Sequence, residues 1–333
     1  MQEIKRAFNQ QKIVLAVFVD FCRAYDSIWR AKLIEKLKNM NIEGNMLVWF
    51  SRFLDQRWTK VTYGKTFSKY KQTKVGLPQG AVTSTTLFNA YINNLPNIAR
   101  NTKTNIGTYA DDVIWASIKN NAKHKMLEHT INTALNSLSK WATENNMEIN
   151  ASKIVYQFFS MRHKNDSCDL KINSQKLPKS ESTKYLDVYL DNKLSWKNHV
   201  EHTINKVNLR LRLIKRLTGA TWGSTQETMN TTYKTYVKPL MKYGSEVLIT
   251  ASDSTLQALE TTQNNALRII TRGVKTIPIL ALQLYTGHLP TTCEIKQQAA
   301  VSLTKIKALP QTTWATKTLE QQHLKTQMLP LAT

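Results

Sequence analysis

The strongest constraint on the fold of this chain is a run of seven apolar residues that ends in a charge. Ile13 to Val19 is IVLAVFV, rich in branched side chains, and Asp20 follows directly. A short, continuous apolar run of this composition predicts a β-strand that is buried on both faces. We therefore expect Asp20 to lie at the end of a buried strand.

A second acidic feature lies inside another apolar stretch. TNIGTYADDVIWAS, residues 104–117, places Asp111 and Asp112 side by side between two apolar segments that predict a strand, a turn and a strand. Adjacent carboxylates repel each other, and each costs free energy to desolvate unless a cation compensates it. A solvated turn is the simpler interpretation of two aspartates.

The two acidic features predict a metal site if the hairpin lies beside the first strand in one sheet. Asp20, Asp111 and Asp112 then converge at one edge. Such a cluster of oxygen ligands suits a divalent metal, with Mg²⁺ the natural occupant. Two ions roughly 3.5–4 Å apart can hold the attacking and leaving oxygens of a phosphoryl transfer.

The order of predicted elements indicates an α+β fold, an antiparallel sheet with helices on one face. From about residue 200 the pattern becomes helical, so a separate α-helical module is expected to begin near 195–200. Ser84 is the predicted N-cap of its helix. The predicted helices cover 23–40, 45–56, 84–94, 123–147, 199–217, 226–250 and 255–271, and the strands cover 13–19, 57–75 as a pair around Gly64-Lys65, the hairpin at 104–117, and 154–159.

The charge balance points to a polyanionic partner. The chain has 46 Lys and Arg against 23 Asp and Glu, a formal net charge of +23, and nucleic acid is the usual partner of such a surface. A basic protein with a merely solvated surface is the alternative.

The three cysteines lie far apart, which argues against a disulfide framework or a cysteine zinc site and fits a reducing intracellular compartment. No apolar run approaches the roughly 20 residues of a membrane span.

Five sequence blocks, in this order, carry a resemblance to a known family. They are FVDFCRAYDSIW, GLPQGAVTSTTLFNAYINNLP, YADD, WATENNMEINASK and TKYLDVYLDNKLSWKNHV. Together they resemble the palm of a reverse transcriptase, an RNA-directed DNA polymerase, of the non-long-terminal-repeat retrotransposons of arthropod, jockey-like type. The match runs from about residue 13 to 200, and YGSEVLI and QNNALRIITRG extend it through the helical region to about 290.

The resemblance implies roles for the acidic residues and their neighbours. Asp20, Asp111 and Asp112 would bind two Mg²⁺ ions, for which Mn²⁺ is a possible substitute, and the backbone carbonyl of Phe21 would be a further ligand. Lys153 would protonate the leaving pyrophosphate, with a plain surface lysine as the alternative. Asp26 is expected to be structural rather than a metal ligand, because an acidic residue is favoured at the start of a helix.

Other matching positions would contact the nucleotide. Tyr25 would exclude a 2′-hydroxyl and so select deoxynucleotides, although packing on a helix explains an aromatic residue there equally simply. Gly76, Pro78, Gln79 and Gly80 match the loop beside the nascent base pair. Glycines allow backbone to approach a ligand closely, and Gln79 can both donate and accept hydrogen bonds. An ordinary turn before a helix is the alternative.

The resemblance also implies partners and a domain order. The partners are an RNA template, a DNA primer and dNTPs, with no membrane; the oligomeric state stays open. The action would be intracellular and, by analogy with the family, nuclear. Residues 1–195 would form the palm with partial fingers, residues 196–290 a helical thumb or connection, and residues 291–333 a C-terminal helical tail. Phosphate contacts in the thumb would come from Lys206, Arg210, Arg212, Lys215 and Arg216.

Several features depart from the family pattern. Only 19 residues precede Asp20, so most of the fingers and the upstream endonuclease are expected to be missing and the chain to be a fragment. Ala81 and Thr85 stand where the family more often has Ser and Pro, and Asp187 stands where it usually has a glycine that relieves backbone strain. These departures leave open an alternative function, in which the chain is a truncated and catalytically inactive relic of the polymerase that still binds nucleic acid. A metal-dependent nuclease is a more distant alternative.

Overall fold

The computed structural model describes residues 2–102, 104–119, 124–161, 167–219 and 222–309, and all statements below concern these residues. They divide into two compact units. The first holds residues up to Asp187 together with Asp191–Leu194, and the second holds Val188–Leu190 and the residues from Ser195 onward. The predicted α+β class followed by a helical module is confirmed, whereas the exact domain limits stay predictions.

The first unit contains most of the strands and seven helices. Its strands are β1 (Ile13–Val19), β2 (Phe21–Cys22), β3 (Arg57–Thr59), β4 (Thr62–Tyr63), β5 (Thr66–Phe67), β6 (Lys71–Thr73), β7 (Asn105–Tyr109), β8 (Asp112–Lys119), β9 (Glu148–Ile149), β10 (Val155–Phe159), β11 (Lys171–Ile172), β12 (Gln175–Lys176) and β13 (Ser182–Tyr185). β14 (Val188–Asp191) follows. The helices are α1 (Gln2–Asn9), α2 (Ala24–Ser27), α3 (Arg30–Asn39), α4 (Gly44–Leu54), α5 (Val82–Ile92), α6 (Pro96–Thr102) and α7 (His124–Glu144).

The main sheet is antiparallel, in the order β10-β1-β8-β7. Every residue of β1 is buried, which confirms the prediction from the apolar run. Alternate side chains of β1, from Ile13 to Val19, join one core cluster with Leu135 of α7 and Phe88 of α5. On the opposite face Phe18 packs against Tyr185 with ring centroids 6.0 Å apart.

The helix predicted over 23–40 is interrupted. α2 ends at Ser27 and α3 begins at Arg30, because the carbonyls of Tyr25 and Ile28 accept hydrogen bonds from the backbone N–H groups of Leu77 and Gly76, at 2.8 Å each. These carbonyls are therefore not available to continue the helix.

The prediction for Ser84 is wrong. The N-cap of α5 is Ala81, and Ser84 lies inside the helix, where its hydroxyl donates to the Pro78 carbonyl at 2.7 Å. Ser84 therefore ties the helix to the preceding loop instead of capping the helix.

The second unit is helical, as predicted. The long helix predicted over 226–250 is divided into shorter segments with a π-helical turn at Tyr233–Val237, and Gly244 adopts a left-handed conformation at one division. The helices are α8 (Lys197–Arg216), α9 (Gln226–Thr232), α10 (Lys238–Lys242), α11 (Ser245–Leu248), α12 (Asp253–Thr271), α13 (Ile279–Thr286) and α14 (Thr291–Lys307). α14 packs on α10, α11 and α12, and residues 310–333 of the predicted tail lie outside the described residues.

Candidate active site

The sheet register brings the predicted carboxylates to one edge. Val19 of β1 lies opposite Val113 of β8, so Asp20 follows one strand where Asp112 begins the other. Asp111 lies beside them in a tight turn, which closes because Ala110 adopts a left-handed backbone with φ 50°. That conformation costs an alanine roughly 1–2 kcal/mol, which the flanking strand pairing offsets.

The electrostatics of Asp112 reflect the two neighbouring carboxylates. The pKa of Asp112 is raised from its usual value, first by burial and then by the negative charges of Asp111 and Asp20. A bound cation relieves both effects, and three carboxylates supply the hard oxygen ligands that Mg²⁺ prefers. The donor chemistry therefore fits a divalent metal.

The side chains are not arranged as a ready-made metal cage. Within the described ranges, no group of three or more His, Cys, Asp and Glu side chains is spaced to hold a metal ion. The carboxylate of Asp20 instead accepts a hydrogen bond from the Asn150 side-chain amide at 3.1 Å and pairs with the Lys153 ammonium at 3.2 Å. The assignment of metal ligands therefore stays a prediction.

Asn150 is a site residue that the sequence reasoning missed. Its backbone N–H also donates to the Asp20 carbonyl, at 2.9 Å, so it holds both the main chain and the side chain of Asp20. The one signal available was its position in INASK, three residues before Lys153. Lys153 itself lies at the site, with its side chain well exposed and paired with Asp20.

The backbone of Phe21 is oriented by a short strand pair. β2 pairs with β9 so that Phe21 lies opposite Ile149, next to the hydrogen-bonded pair of Asp20 and Asn150. Hydrogen-bonded and non-bonded pairs alternate in antiparallel strands, so the Phe21 carbonyl is expected to point away from β9. The Phe21 side chain is buried against Trp141, with ring centroids 6.2 Å apart.

Tyr25 combines packing with access to the site. Its ring stacks on Phe88 with centroids 4.5 Å apart and an angle of 15° between the planes. Burial raises the pKa of the Tyr25 hydroxyl, and the charge of Asp111 raises it further. The packing interpretation and the nucleotide-contact interpretation are therefore compatible, since one face of the Tyr25 ring packs on Phe88 while the residue lines the cleft described below.

The loop before α5 is fixed by contacts within the protein. The Gln79 amide donates to the Asp26 carboxylate at 2.8 Å, which gives Asp26 a structural contact and leaves the Gln79 carbonyl as an acceptor. Gly76 has φ 85°, and a Cβ there would stand 2.8 Å from the Asp26 carbonyl oxygen. Gly76 is thus required because the loop approaches the protein's own backbone at Asp26 closely, and not because it approaches a ligand. Gly80 also has positive φ, but the space around it is open.

An open cleft of about 600 Å³ is lined by part of the predicted site, whereas Asp112, Pro78 and Gly80 are not among its lining residues. Its walls include six of the predicted site residues and, in addition, Arg23, Glu148 and Asn150, which the sequence reasoning did not select. The predicted members on the walls are Asp20, Phe21, Tyr25, Gln79, Asp111 and Lys153. A cleft of this size with carboxylates, a lysine and a stacked aromatic ring suits an anionic, base-containing ligand bound with a cation.

The predicted thumb residues lie on α8 in the second unit. Its buried side chains, among them Val207 and Leu211, face α12. At 100° per residue, Arg212 and Arg216 share the outward face, whereas the Arg210 guanidinium stacks 4.1 Å from the Tyr236 ring centroid and donates to the Tyr236 carbonyl. Lys206 and Lys215 are exposed on opposite flanks of the helix, so these five residues do not form one stripe.

Asp187 adopts the backbone conformation that makes glycine favourable there. It has φ 60°, and Leu186 before it has φ 48°. The carboxylate of Asp187 pairs with Lys184 at 2.7 Å. Asp tolerates the left-handed region better than most residues. An aspartate in place of the family's usual glycine therefore strains the backbone only locally.

Comparisons with known proteins show the family of the chain. The model of the family "Reverse transcriptase (RNA-dependent DNA polymerase)" matches residues 1–190, and the chain belongs to this family.

Two relatives and one solved structure show the extent of the similarity. The probable RNA-directed DNA polymerase from transposon BS of Drosophila melanogaster is 24% identical over 278 residues, which cover 81% of this chain and 30% of that protein. The RNA-directed DNA polymerase from the mobile element jockey of Drosophila melanogaster is 25% identical over 79% of this chain and 29% of its own length. The chain thus spans about a third of the length of these relatives. The structure of apo telomerase from Candida tropicalis aligns with a TM-score of 0.43 and 11% identity, over 96% of this chain and 55% of that chain.

No helix in the described part of the chain is long and apolar enough to cross a membrane.

Proposed function

We propose that this chain is an RNA-directed DNA polymerase of a non-long-terminal-repeat retrotransposon, which extends a DNA primer 3′-hydroxyl with dNTPs on an RNA template. The observation that carries the proposal is the convergence of Asp20 and Asp112 at one sheet edge, with Asp111 beside them in the turn. The family and the similarity to the jockey and BS polymerases support it.

Within this proposal the residues of the candidate site have separate roles. Asp20, Asp111, Asp112 and the Phe21 carbonyl would hold two divalent cations, Mg²⁺ or in its place Mn²⁺. When bound, the ions supply Lewis-acid stabilisation of the charge that develops on the phosphoryl oxygens.

The remaining residues orient the nucleotide and move a proton. Tyr25, held against Phe88, would exclude a 2′-hydroxyl, and Gln79, held by Asp26, would accept a hydrogen bond beside Pro78 and Gly80. Lys153 would exchange its pairing with Asp20 for the leaving pyrophosphate and donate a proton to it. Contacts of the α8 basic residues with duplex phosphates and action in the nucleus stay predictions.

Primer extension with one amide substitution tests the proposal. Asp111→Asn removes a negative ligand and leaves the turn intact, so incorporation of dNTPs on an RNA template with Mg²⁺ should fall at least about 100-fold. Asp169→Asn is the matched control, because Asp169 is a surface aspartate paired only with Lys171 and Lys176 among the described ion pairs. Its rate should equal that of the unmodified chain.

Two outcomes would contradict the proposal. Full activity of Asp111→Asn would show that the carboxylate cluster is not the catalytic centre. Salt-sensitive binding of an RNA–DNA duplex with no incorporation by the unmodified chain would identify the inactive relic instead.

A further inference from the structure

A hairpin outside the cleft presents aromatic rings and positive charge to solvent. Residues 57–74, which we name the aromatic hairpin, are built from β3, β4, β5 and β6. They contain six Lys or Arg residues and neither Asp nor Glu: Arg57, Lys60, Lys65, Lys69, Lys71 and Lys74. They also contain four aromatic residues: Trp58, Tyr63, Phe67 and Tyr70.

The register of the hairpin shifts at a bulge. Thr59 lies opposite Lys71 in the inner ladder. In the outer part, the Ser68 N–H donates to the Val61 carbonyl at 2.9 Å, and the Val61 N–H donates to the Ser68 hydroxyl at 2.8 Å. Lys60 therefore lies opposite two residues, at positions 69 and 70, which is the arrangement of a β-bulge.

One face of the aromatic hairpin gathers three of the four rings. Alternation along the strand places Trp58 and Lys60 on the same face, and Phe67 joins them through its pairing with Thr62. The Lys60 ammonium lies 4.5 Å from the Phe67 ring centroid and 5.2 Å from that of Tyr70. Phe67 and Tyr70 thus both contact the Lys60 ammonium, and Trp58 lies on the same face.

These rings are left open by the rest of the described structure. Trp58 is 59% exposed, Phe67 60% and Tyr70 63%. No residue of β4 or β5 is buried. Three large exposed rings on one face mark a binding surface.

We propose that this face of the aromatic hairpin binds single-stranded RNA. Unpaired bases stack on exposed aromatic side chains, and the lysines between them neutralise phosphates. The choice of RNA rests on the proposed function, in which the template is RNA. A protein partner fits less well, because lysine is depleted in the cores of protein interfaces and on this face Lys60 lies against the rings of Phe67 and Tyr70.

The hairpin connects directly to the cleft. Six residues lead from Thr73 at the end of β6 to Gln79 on the cleft wall, at most about 20 Å of chain. The Arg30 side chain fixes this connection by donating to the carbonyls of Thr73, Val75 and Gly76, at 2.7, 3.0 and 2.8 Å. The face is therefore placed to hold the template strand near the nucleotide site.

Fluorescence anisotropy with a labelled 20-nucleotide single-stranded RNA tests this inference, in the absence of dNTPs and divalent cations. Trp58→Ala and Tyr70→Ala should each weaken binding by about fivefold or more, the lower end of the loss for one stacked base. Lys60→Gln should also reduce the slope of log Kd against log salt by about 0.7. Tyr63→Ala is the matched control: this ring is 87% exposed and alternates to the opposite face of the same hairpin, so affinity should not change.

Three results would overturn the inference. The first is an equal loss of RNA affinity in Tyr63→Ala and Trp58→Ala, and the second is an unchanged RNA affinity in every variant. The third is a variant that changes from dimer to monomer while its RNA affinity stays the same, which would make the face a protein interface. Because the substituted rings are exposed, all variants should keep the unfolding midpoint of the unmodified chain.

The same assay separates this inference from the proposed function. A chain that binds single-stranded RNA through the hairpin and never extends a primer would contradict the polymerase proposal and support the hairpin. If single-stranded DNA binds as tightly as RNA and the variants lose the same affinity for both, the face does not select RNA. That result would overturn the choice of ligand.

Discussion

Single residues in the cleft are held by partners distant in sequence. Asp20 is oriented by Asn150, 130 positions later, and Gln79 by Asp26, 53 positions earlier. Such side chains lose little conformational freedom when a ligand binds, because folding has already restricted them. Asp20 and Gln79 are therefore held in place before a ligand binds.

Tyr25 offers a test at the level of one ring. If it selects deoxynucleotides, Tyr25→Ala should reduce the preference for dNTPs over rNTPs by about 100-fold, since the bulk facing the 2′ position is removed. Tyr25→Phe keeps the ring and its stacking on Phe88, so it should retain the preference. The measurement is the ratio of kcat/KM values for dNTP and rNTP, and equal ratios in Tyr25→Ala and the unmodified chain would refute the role.

Among the structural elements, the loop that leads into α5 depends on close backbone contact with α2. Gly76 donates to the Ile28 carbonyl and has no space for a Cβ, whereas Gly44, at the start of α4, has a similar left-handed backbone and open surroundings. An alanine at either position would adopt an unfavourable positive φ. Only at Gly76 would its Cβ also clash with a neighbouring atom.

Substituting both glycines separates the two effects. Gly44→Ala should cost about 1 kcal/mol of unfolding free energy from backbone conformation alone. Gly76→Ala adds the contact with the Asp26 carbonyl and should cost at least about 2 kcal/mol, and it should also displace Gln79. Urea denaturation measures both changes, and equal losses would show that the contact at Gly76 is relieved at no cost.

The helices of the second unit meet at a buried histidine. His288 is 3% exposed. One ring nitrogen, Nε2, lies 2.6 Å from the Asn230 side-chain oxygen of α9, and Nδ1 lies 2.9 Å from the Lys238 ammonium of α10. Nε2 therefore carries the proton and Nδ1 accepts, which is the neutral form. Burial, and then the charges of Lys238 and Lys234, lower the His288 pKa to about 4.

This histidine predicts a loss of stability in mild acid. The unfolded chain has a histidine pKa near 6.5 and binds the proton first as pH falls, so stability is lost from about pH 6.5 down to about pH 4. The His288 contribution between pH 7 and pH 5 is about 2 kcal/mol. Urea unfolding at the two pH values measures the loss. His288→Gln should show a loss smaller by this amount, and parallel losses in the two chains would contradict the prediction.

Across the whole molecule, charge is distributed unevenly along the sequence. The net charge of +23 indicates a polyanionic partner but gives no location for it. No Asp or Glu occurs from residue 56 to residue 110, between Asp55 and Asp111. This long basic stretch includes the aromatic hairpin and ends at the carboxylate turn, so the attraction for phosphate and the candidate metal site are adjacent in sequence.

The sequence by itself determined the main elements and the acidic positions. The run before Asp20 and the pattern around Asp111 and Asp112 encode strands within a few residues, because burial follows the side-chain period of local structure. The five ordered blocks then indicated the family, and the family match agrees with them.

Only the tertiary structure decided which residues meet. Local patterns could not show that Asn150 holds Asp20, that Gly76 must be glycine because of Asp26, or that the helix predicted over 23–40 is interrupted. Each of these depends on chain segments that are far apart in sequence and become neighbours only when the sheet and its helices pack. Periodicity reports which face of an element is buried, whereas hydrogen bonds and steric contacts between distant segments are set by the packed fold.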